Sequence, residues 1–440
     1  MPGPTRNSVL VIGSGLAGLC AAIEATLKGA RVLLVDAAPT ARFGGNARHA
    51  RNVRVVHEAP LPWIAGHYRA SELARELEAA GGHARGPMFE QWAQGSRALV
   101  EWLAAQGVRY QDPASRNRRY SRRTAFLLGG GQALVGALGR RLEALGVPVR
   151  MGMRVRAMPA HEGPGQPVCM EQANGRYAWE QPGAVVVAAG GCHWDPEWLA
   201  RAYPYAAGGL LCRGTPHNRG ELLALLRERG AEPSGEAGSG HAVVVDARGP
   251  EVDGGIVTRL DGLDLGVVLD AQGQRLCPDV APSSPSRYAV WGQCIAACRG
   301  GRGWLVLDDT GLARMPATLY PPVRFGCVSG FLHYTGLLQQ PVTRALAQRF
   351  GGIPSRLHLY PLAAGVTFAA QGVAVDADAR IRIPEMSGHG LFAAGSIMAP
   401  TLLGTGYLAG AGLSIAGVFG RIAGASAAHY VQQSGSVSAG

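Results

Sequence analysis

The sequence predicts an α/β protein: a doubly wound, mainly parallel sheet carrying an inserted α+β domain. Three observations predict it. A short apolar run at residues 8–12 leads through a glycine turn into helical spacing at 16–28 and a second apolar run at 31–36, which is a β-α-β unit. A nearly all-aliphatic run at 183–188 reads as a strand covered on both faces. From about 233 to 355, short β-like runs (242–246, 266–269, 303–307) alternate with Pro- and Gly-rich turns, as in a second domain set into the first.

The remaining elements follow in order. Gly29 ends the first helix. Helical spacing recurs at 70–80, 88–106 and 132–145, the last after Gly129-Gly130-Gly131 and leading into a strand at 148–157. After the insertion, an aliphatic and small pattern returns at 390–395, followed by a long glycine-rich helix at 413–429. The tail 432–440, rich in Ser, Gly and Gln, reads as disordered. The expected domains are 1–235 and 358–431 for the first fold, with a substrate-binding or capping domain at 236–357.

Composition narrows the function classes. The 440 residues are 47% hydrophobic and 17% charged, too apolar for a largely disordered chain. The formal net charge is +11, and Lys28 is the only lysine. Arginine supplies the rest, and its planar fork suits the carboxylates or phosphates of a small anion. No signature of nucleic-acid binding accompanies it. Arg116, Arg118, Arg119, Arg122 and Arg123 read as a solvated loop or an anion-attracting cluster. The eight cysteines form no C-x-x-C pair, so no metal site is expected, and reduced cysteines suit a cytoplasmic protein. Residues 9–20 resemble a leader with a lipoprotein box, but Leu19 stands where a small residue is needed before Cys20. The nearest approach to a membrane span, 408–423, is glycine-rich and carries Arg421.

The chemistry begins at Gly13-Ser14-Gly15-Leu16-Ala17-Gly18, between the first strand and its helix. Gly13 permits the tight turn, Gly15 lets a pyrophosphate approach the backbone, and Gly18 lets helix pack on strand. Asp36, followed by Ala37, ends the second strand, where an acid binds a ribose 2′-hydroxyl and disfavours NADP. This Rossmann-like segment leaves NAD and FAD open. Three later segments favour FAD: Gly44-Gly45-Asn46, the small run Ala188-Ala189-Gly190-Gly191, and the strand-turn ending at Gly395-Ser396 with the glycine-rich helix start through Gly410 and Gly412-Leu413-Ser414. That helix start is suited to stabilising negative charge on a reduced flavin. Only one nucleotide-binding unit is visible, so no second site for NAD(P)H is expected.

Together, residues 9–36, Gly44-Gly45-Asn46 with His49, Arg51 and Asn52, 129–131, Arg213-Gly214-Thr215, His241, 246–248, 253–256, Thr258-Arg259, 287–292, 365–368 and 406–424 resemble the fumarate reductase/succinate dehydrogenase flavoprotein superfamily. Within it, the chain is most similar to the FAD-dependent tricarballylate dehydrogenases. The resemblance implies desaturation of a CH–CH bond beside a carboxylate, tricarballylate to cis-aconitate, with hydride passing to flavin N5. It also implies a separate iron–sulfur/haem membrane protein that accepts the electrons. Asn46 holds the position of a flavin-linking histidine, so the FAD is expected to be non-covalent, and His49 reads as a structural or substrate-side residue. Carried over residue by residue, Arg287 handles the substrate proton, aided by a relay or acting as an electrostatic clamp, since a free guanidine base is implausible. His241 joins Arg287 and Tyr407 as catalytic, and Thr258, Arg259, Thr367 and Gly410 contact substrate. Gly130, Gly131, Val155, Ala189 and Gly190 complete the cofactor contacts.

Departures from the superfamily accompany the match. Tyr407 replaces a carboxylate-binding arginine, Thr367-Phe368 a histidine segment, Arg259 an acid and Ser396 an acid, while the stretch between about 312 and 358 is short for a lid. Three alternatives stay open at this point: a precorrin-3B synthase-type module, a ketone α,β-dehydrogenase in which Tyr407 binds a carbonyl, and a catalytically altered flavin-binding partner subunit.

Overall fold

The computed structural model describes residues 5–115, 122–158, 167–206, 208–280, 286–386 and 388–437. Arg116, Arg118 and Arg119 lie outside that set. The chain forms two compact units: Met1–Asp195, His217–Ser239 and Ala369–Gly440 in the first, Pro196–Pro216 and Gly240–Phe368 in the second.

The first unit is built on a sheet of five parallel strands. Strand β1 (Thr5–Ile12) turns into helix α1 (Leu16–Leu27) and returns as β2 (Arg31–Asp36). Helices α2 (Pro87–Ala105) and α3 (Gly130–Ala144) precede β3 (Val149–Met151), β4 (Pro182–Val187) and β5 (Leu391–Ala393), and α4 (Ala411–Val437) closes the chain. The spatial order is β5-β4-β1-β2-β3, with every pair parallel. The central strands are aliphatic because both faces are covered: Val9, Leu10, Val11, Val186 and Val187 are buried.

Two local readings differ from the structure. The single strand expected at 148–157 is broken at Gly152, whose φ of 69° ends β3; Met153–Ala157 then joins a separate antiparallel sheet with Val168–Gln172 and Tyr177–Glu180. Helix α4 runs on to Val437, through residues read as a disordered tail. Its stretch Ala411–Ser434 is long and apolar enough by composition to cross a membrane, yet 67% of an apolar 18-residue window within it is buried inside the fold. Packing on α1 is the cause. A Cβ on Gly420 or Gly424 would strike the carbonyl oxygen of Ala17 or Ala21, so small residues one turn apart on both helices let the backbones touch.

The second unit centres on the 17-residue strand Leu357–Val373, whose end crosses the unit boundary. Arg302–Leu307 and Val323–Phe325 pair with it antiparallel, and Leu211–Cys212 pairs parallel through Gly365 and Val366. That pairing draws Pro196–Pro216 into the inserted unit, earlier in sequence than the expected boundary at 236. Val267, Leu269, Val306, Phe331, Val342, Leu346, Leu357 and Leu359 form its core. Residues 312–358 supply the helices Val328–Thr335 and Gln339–Phe350 to it.

Candidate functional site

In the first unit, close packing shapes the glycine turn at Gly13 and Gly18. Gly13 has φ 111° and a Cβ there would strike the Ala188 carbonyl; a Cβ on Gly18 would strike the Gly13 carbonyl. Gly15 is the contrast. A Cβ on it meets nothing within 4 Å, and as N-cap of α1 it brings no capping side chain. Unfilled space thus lies against a helix N-terminus, with Leu16 and Ala17 buried behind it, which suits a pyrophosphate. At the end of β2, Asp36 accepts from the Ser14 backbone N–H and hydroxyl at 2.7 Å each, and from the Ala38 N–H at 2.7 Å. Its half-buried carboxylate retains acceptor positions for a ribose. Ala37 beside it is likewise half-buried.

Ser14 extends the construction: its oxygen accepts from the Gly44 N–H at 3.0 Å. The second glycine segment is thereby tied to the first, and a Cβ on Gly45 would sit 3.6 Å from Gly15 Cα. A Cβ on Gly131 would strike Ala47 O, and the Gly131 N–H bonds Ala50 O at 2.7 Å, so the start of α3 with Gly130 locks the turn Gly45–His49. Asn46 Nδ2 lies 3.5 Å from Nε2 of His193; burial pushes that imidazole down to about 4 and keeps it neutral. Ala189 precedes Gly190, which has φ 78° and lies against Asn218. Gly395 has φ 83° and packs on Ala17, and Ser396 lies near Gly191. At the start of α4, a Cβ on Gly412 would stand 2.7 Å from the Tyr407 hydroxyl; Leu413 is half-buried, and buried Ser414 accepts from Trp92 Nε1 at 2.9 Å. Val155 is buried on Met153–Ala157 opposite Met170, on a strand that contacts Arg31–Asp36.

The second unit gathers a different chemistry. A Cβ on Gly292 would strike Ala242 O, so helix Arg287–Ala296 lies directly on the strand that carries His241. Tyr288 from this helix meets the His241 ring edge to face at 5.6 Å, and the Arg259 guanidinium lies over the Tyr288 ring at 5.2 Å. Arg213 and Thr258 both donate to Gly255 O at 3.1 Å. Burial, then the charges of Arg213 and Arg259, push His241 down to about 3. A neutral imidazole with two guanidinium groups in its surroundings has the chemistry to receive an anion. Arg259 also pairs with Asp261 at 2.5 Å. Arg287 pairs with Asp264 at 3.1 Å, while its buried Nε has no partner among the described residues. Thr367 follows Val366, whose carbonyl accepts from the Arg213 N–H. His241, Thr258 and Arg259 thus come together with Arg213 and Tyr288, Arg287 stands on the same helix as Tyr288, and Tyr407 and Gly410 belong to the first unit.

Sequence reasoning left several of these residues unassigned. Ser14 sits inside the glycine motif and His193 directly after Gly190-Gly191-Cys192, so position alone marked both. Arg213 lay in a matched stretch but carried no role, and nothing in the sequence pairs Asp264 with Arg287.

A model of the FAD binding domain family matches residues 8–413. This chain belongs to that family. Its cofactor is FAD, which fits the open space at Gly15, the acid at Asp36 and the tied Gly44-Gly45 loop. The chain is 26% identical over 314 residues to the fumarate reductase (cytochrome) of Shewanella frigidimarina, covering 69% of this chain and 52% of that one; it spans about half the length of that relative. Among solved structures, the open conformation of a flavocytochrome c3 fumarate reductase aligns with a TM-score of 0.76 at 19% identity, over 98% of this chain and 79% of that one. The 3-ketosteroid Δ1-dehydrogenase of Sterolibacterium denitrificans aligns with a TM-score of 0.73 at 16% identity, over 97% and 99%. At these identities the structural likeness is one of fold.

Proposed function

We propose that this protein is an FAD-dependent oxidoreductase that desaturates a CH–CH bond next to a carboxylate, with tricarballylate oxidised to cis-aconitate. The observation that carries the reading is the buried, neutral His241 between the cations Arg213 and Arg259, a setting that favours a polyanion. FAD, when bound, supplies a two-electron acceptor for hydrogen leaving the substrate. In this reading Gly13, Gly15, Gly18, Asp36, Gly44 and Gly45 hold FAD non-covalently, because the Asn46 amide does not form the link a histidine makes.

His241, Thr258 and Arg259 orient carboxylates. Arg287 acts as an electrostatic clamp, and the Asp264 carboxylate at 3.1 Å is the relay that carries a proton away. Electrons leave through a separate iron–sulfur/haem membrane protein, and eight free cysteines suit a reducing, cytoplasmic setting. A single feature favours a ketone desaturase instead: Tyr407, whose hydroxyl folds over Gly412, is a donor suited to one carbonyl oxygen.

Anaerobic mixing of the yellow protein with tricarballylate, succinate and cyclic ketones, followed by flavin absorbance, tests both. Bleaching by tricarballylate supports the main reading, and bleaching by ketones alone replaces it. Arg287→Ala is expected to slow bleaching by about 10²–10⁴-fold with FAD still bound; an unchanged rate removes Arg287 from its role.

A further inference from the structure

The first unit contains a buried ionic network that neither the glycine motif nor the substrate residues account for. Arg54, on the short strand Asn52–Arg54, is 1% exposed. Its Nε donates to Ala409 O at 3.0 Å, its backbone N–H donates to Gly410 O at 3.1 Å, and Nη1 donates to Tyr68 Oη at 2.6 Å and to Glu76 at 2.8 Å. Glu76 also accepts from Tyr68 at 2.7 Å and from Arg123 at 2.6 Å. Burial raises the Glu76 carboxyl, but Arg54, Tyr68 and Arg123 outweigh it and hold it ionised. Two arginines on one carboxylate leave a formal charge of +1 (2 − 1), while neighbouring Arg122 and Glu72, 2.7 Å apart, cancel.

That surplus is fixed to the turn before α4. Gly410 has φ 78°, and a Cβ on it would stand 2.8 Å from Arg54 N, so the turn is moulded onto the arginine's own backbone.

We propose that Arg54, Glu76 and Arg123 form a positioning and charge-setting network that fixes the Ala409–Gly410 turn and raises the reduction potential of the bound flavin. The inference rests on the reading that FAD lies against the start of α4. A flavin becomes more negative on reduction, so a fixed net positive charge in a partly desolvated site favours the reduced form. Glu76 tempers the effect.

The test is the flavin midpoint potential of the FAD-loaded protein and of Arg54→Met, Arg123→Met and Glu76→Gln. Charge control predicts opposite signs. Both arginine variants shift the oxidised-to-reduced ratio toward oxidised, by about tenfold for Arg54→Met, or about 30 mV for a two-electron couple. Glu76→Gln shifts it toward reduced. If Arg54→Met does not fold, the opposed signs of Arg123→Met and Glu76→Gln still decide. Shifts of one sign for both, or none above threefold, overturn the proposal while leaving the cofactor site intact. A wild-type protein that cannot be loaded with FAD overturns the underlying reading as well.

Discussion

Burying an arginine is costly unless its charge meets a partner or a ligand, which gives Arg213 and Arg259 their meaning beside His241. The sequence pointed to His241, Thr258 and Arg259 because they fall in matched stretches, but Arg213 acquires its role from a strand register. Its backbone N–H bonds Val366 O and its stem packs where Gly365 has no side chain, and no local pattern encodes that meeting. Arg259 already pairs with the exposed Asp261, so its removal leaves no buried anion stranded. Arg259→Met is therefore expected to raise KM for tricarballylate by about ten- to a hundredfold, the worth of a charge-assisted hydrogen bond, with kcat changed little. Steady-state kinetics with tricarballylate and succinate check it. An equal loss for both substrates argues that Arg259 does not read the third carboxylate.

Among the elements, those with strong local signals were legible: β1-α1-β2, the aliphatic β4 and the glycine-rich α4 were all visible as patterns. What the sequence concealed depends on packing. The Ser- and Gly-rich end of α4 has poor helix propensity, yet Gln432 Nε2 donates to Lys28 O at 2.7 Å at the end of α1, and Tyr430 meets Phe392 edge to face. Tertiary contact holds that helix where propensity does not. The break at Gly152 was hidden for the opposite reason, since an apolar alternation continues across a residue whose positive φ ends the strand. The α1–α4 crossing makes a direct test. Gly420→Val places branched carbons against the Ala17 backbone and is expected to destabilise the first unit by about 1–3 kcal/mol. Thermal denaturation should show a lower Tm, whereas Gly336→Ala, in open space at a helix end, tests only the smaller strain of its φ of 68°.

Across the whole molecule, each unit carries a buried imidazole held below its ordinary value, His193 in the first and His241 in the second, and this couples stability to acid. Burial lowers both, to about 4 and about 3 from an ordinary 6.5, with Arg213 and Arg259 adding to the effect at His241. The fold therefore holds both rings neutral while the unfolded chain takes up protons below pH 6.5. Stability from this source is complete above pH 6.5 and falls as the pH drops toward 4 for His193 and toward 3 for His241. The slope approaches about 1.4 kcal/mol per pH unit for each ring between the two values, and it vanishes below the folded value. Neutral replacements isolate the contributions. His193→Gln and His241→Gln are each expected to flatten part of the acid limb of a urea-midpoint profile between pH 6.5 and 4, while their own neutral-pH losses stay constant with pH. A polyanion in the second unit adds a sign of its own: by countering Arg213 and Arg259 it makes His241 easier to protonate, so saturating tricarballylate should reduce the His241 share of the slope and leave the His193 share untouched. Profiles with and without the polyacid in the His193→Gln background measure that share directly, and an unchanged slope there would place the anion elsewhere than beside His241.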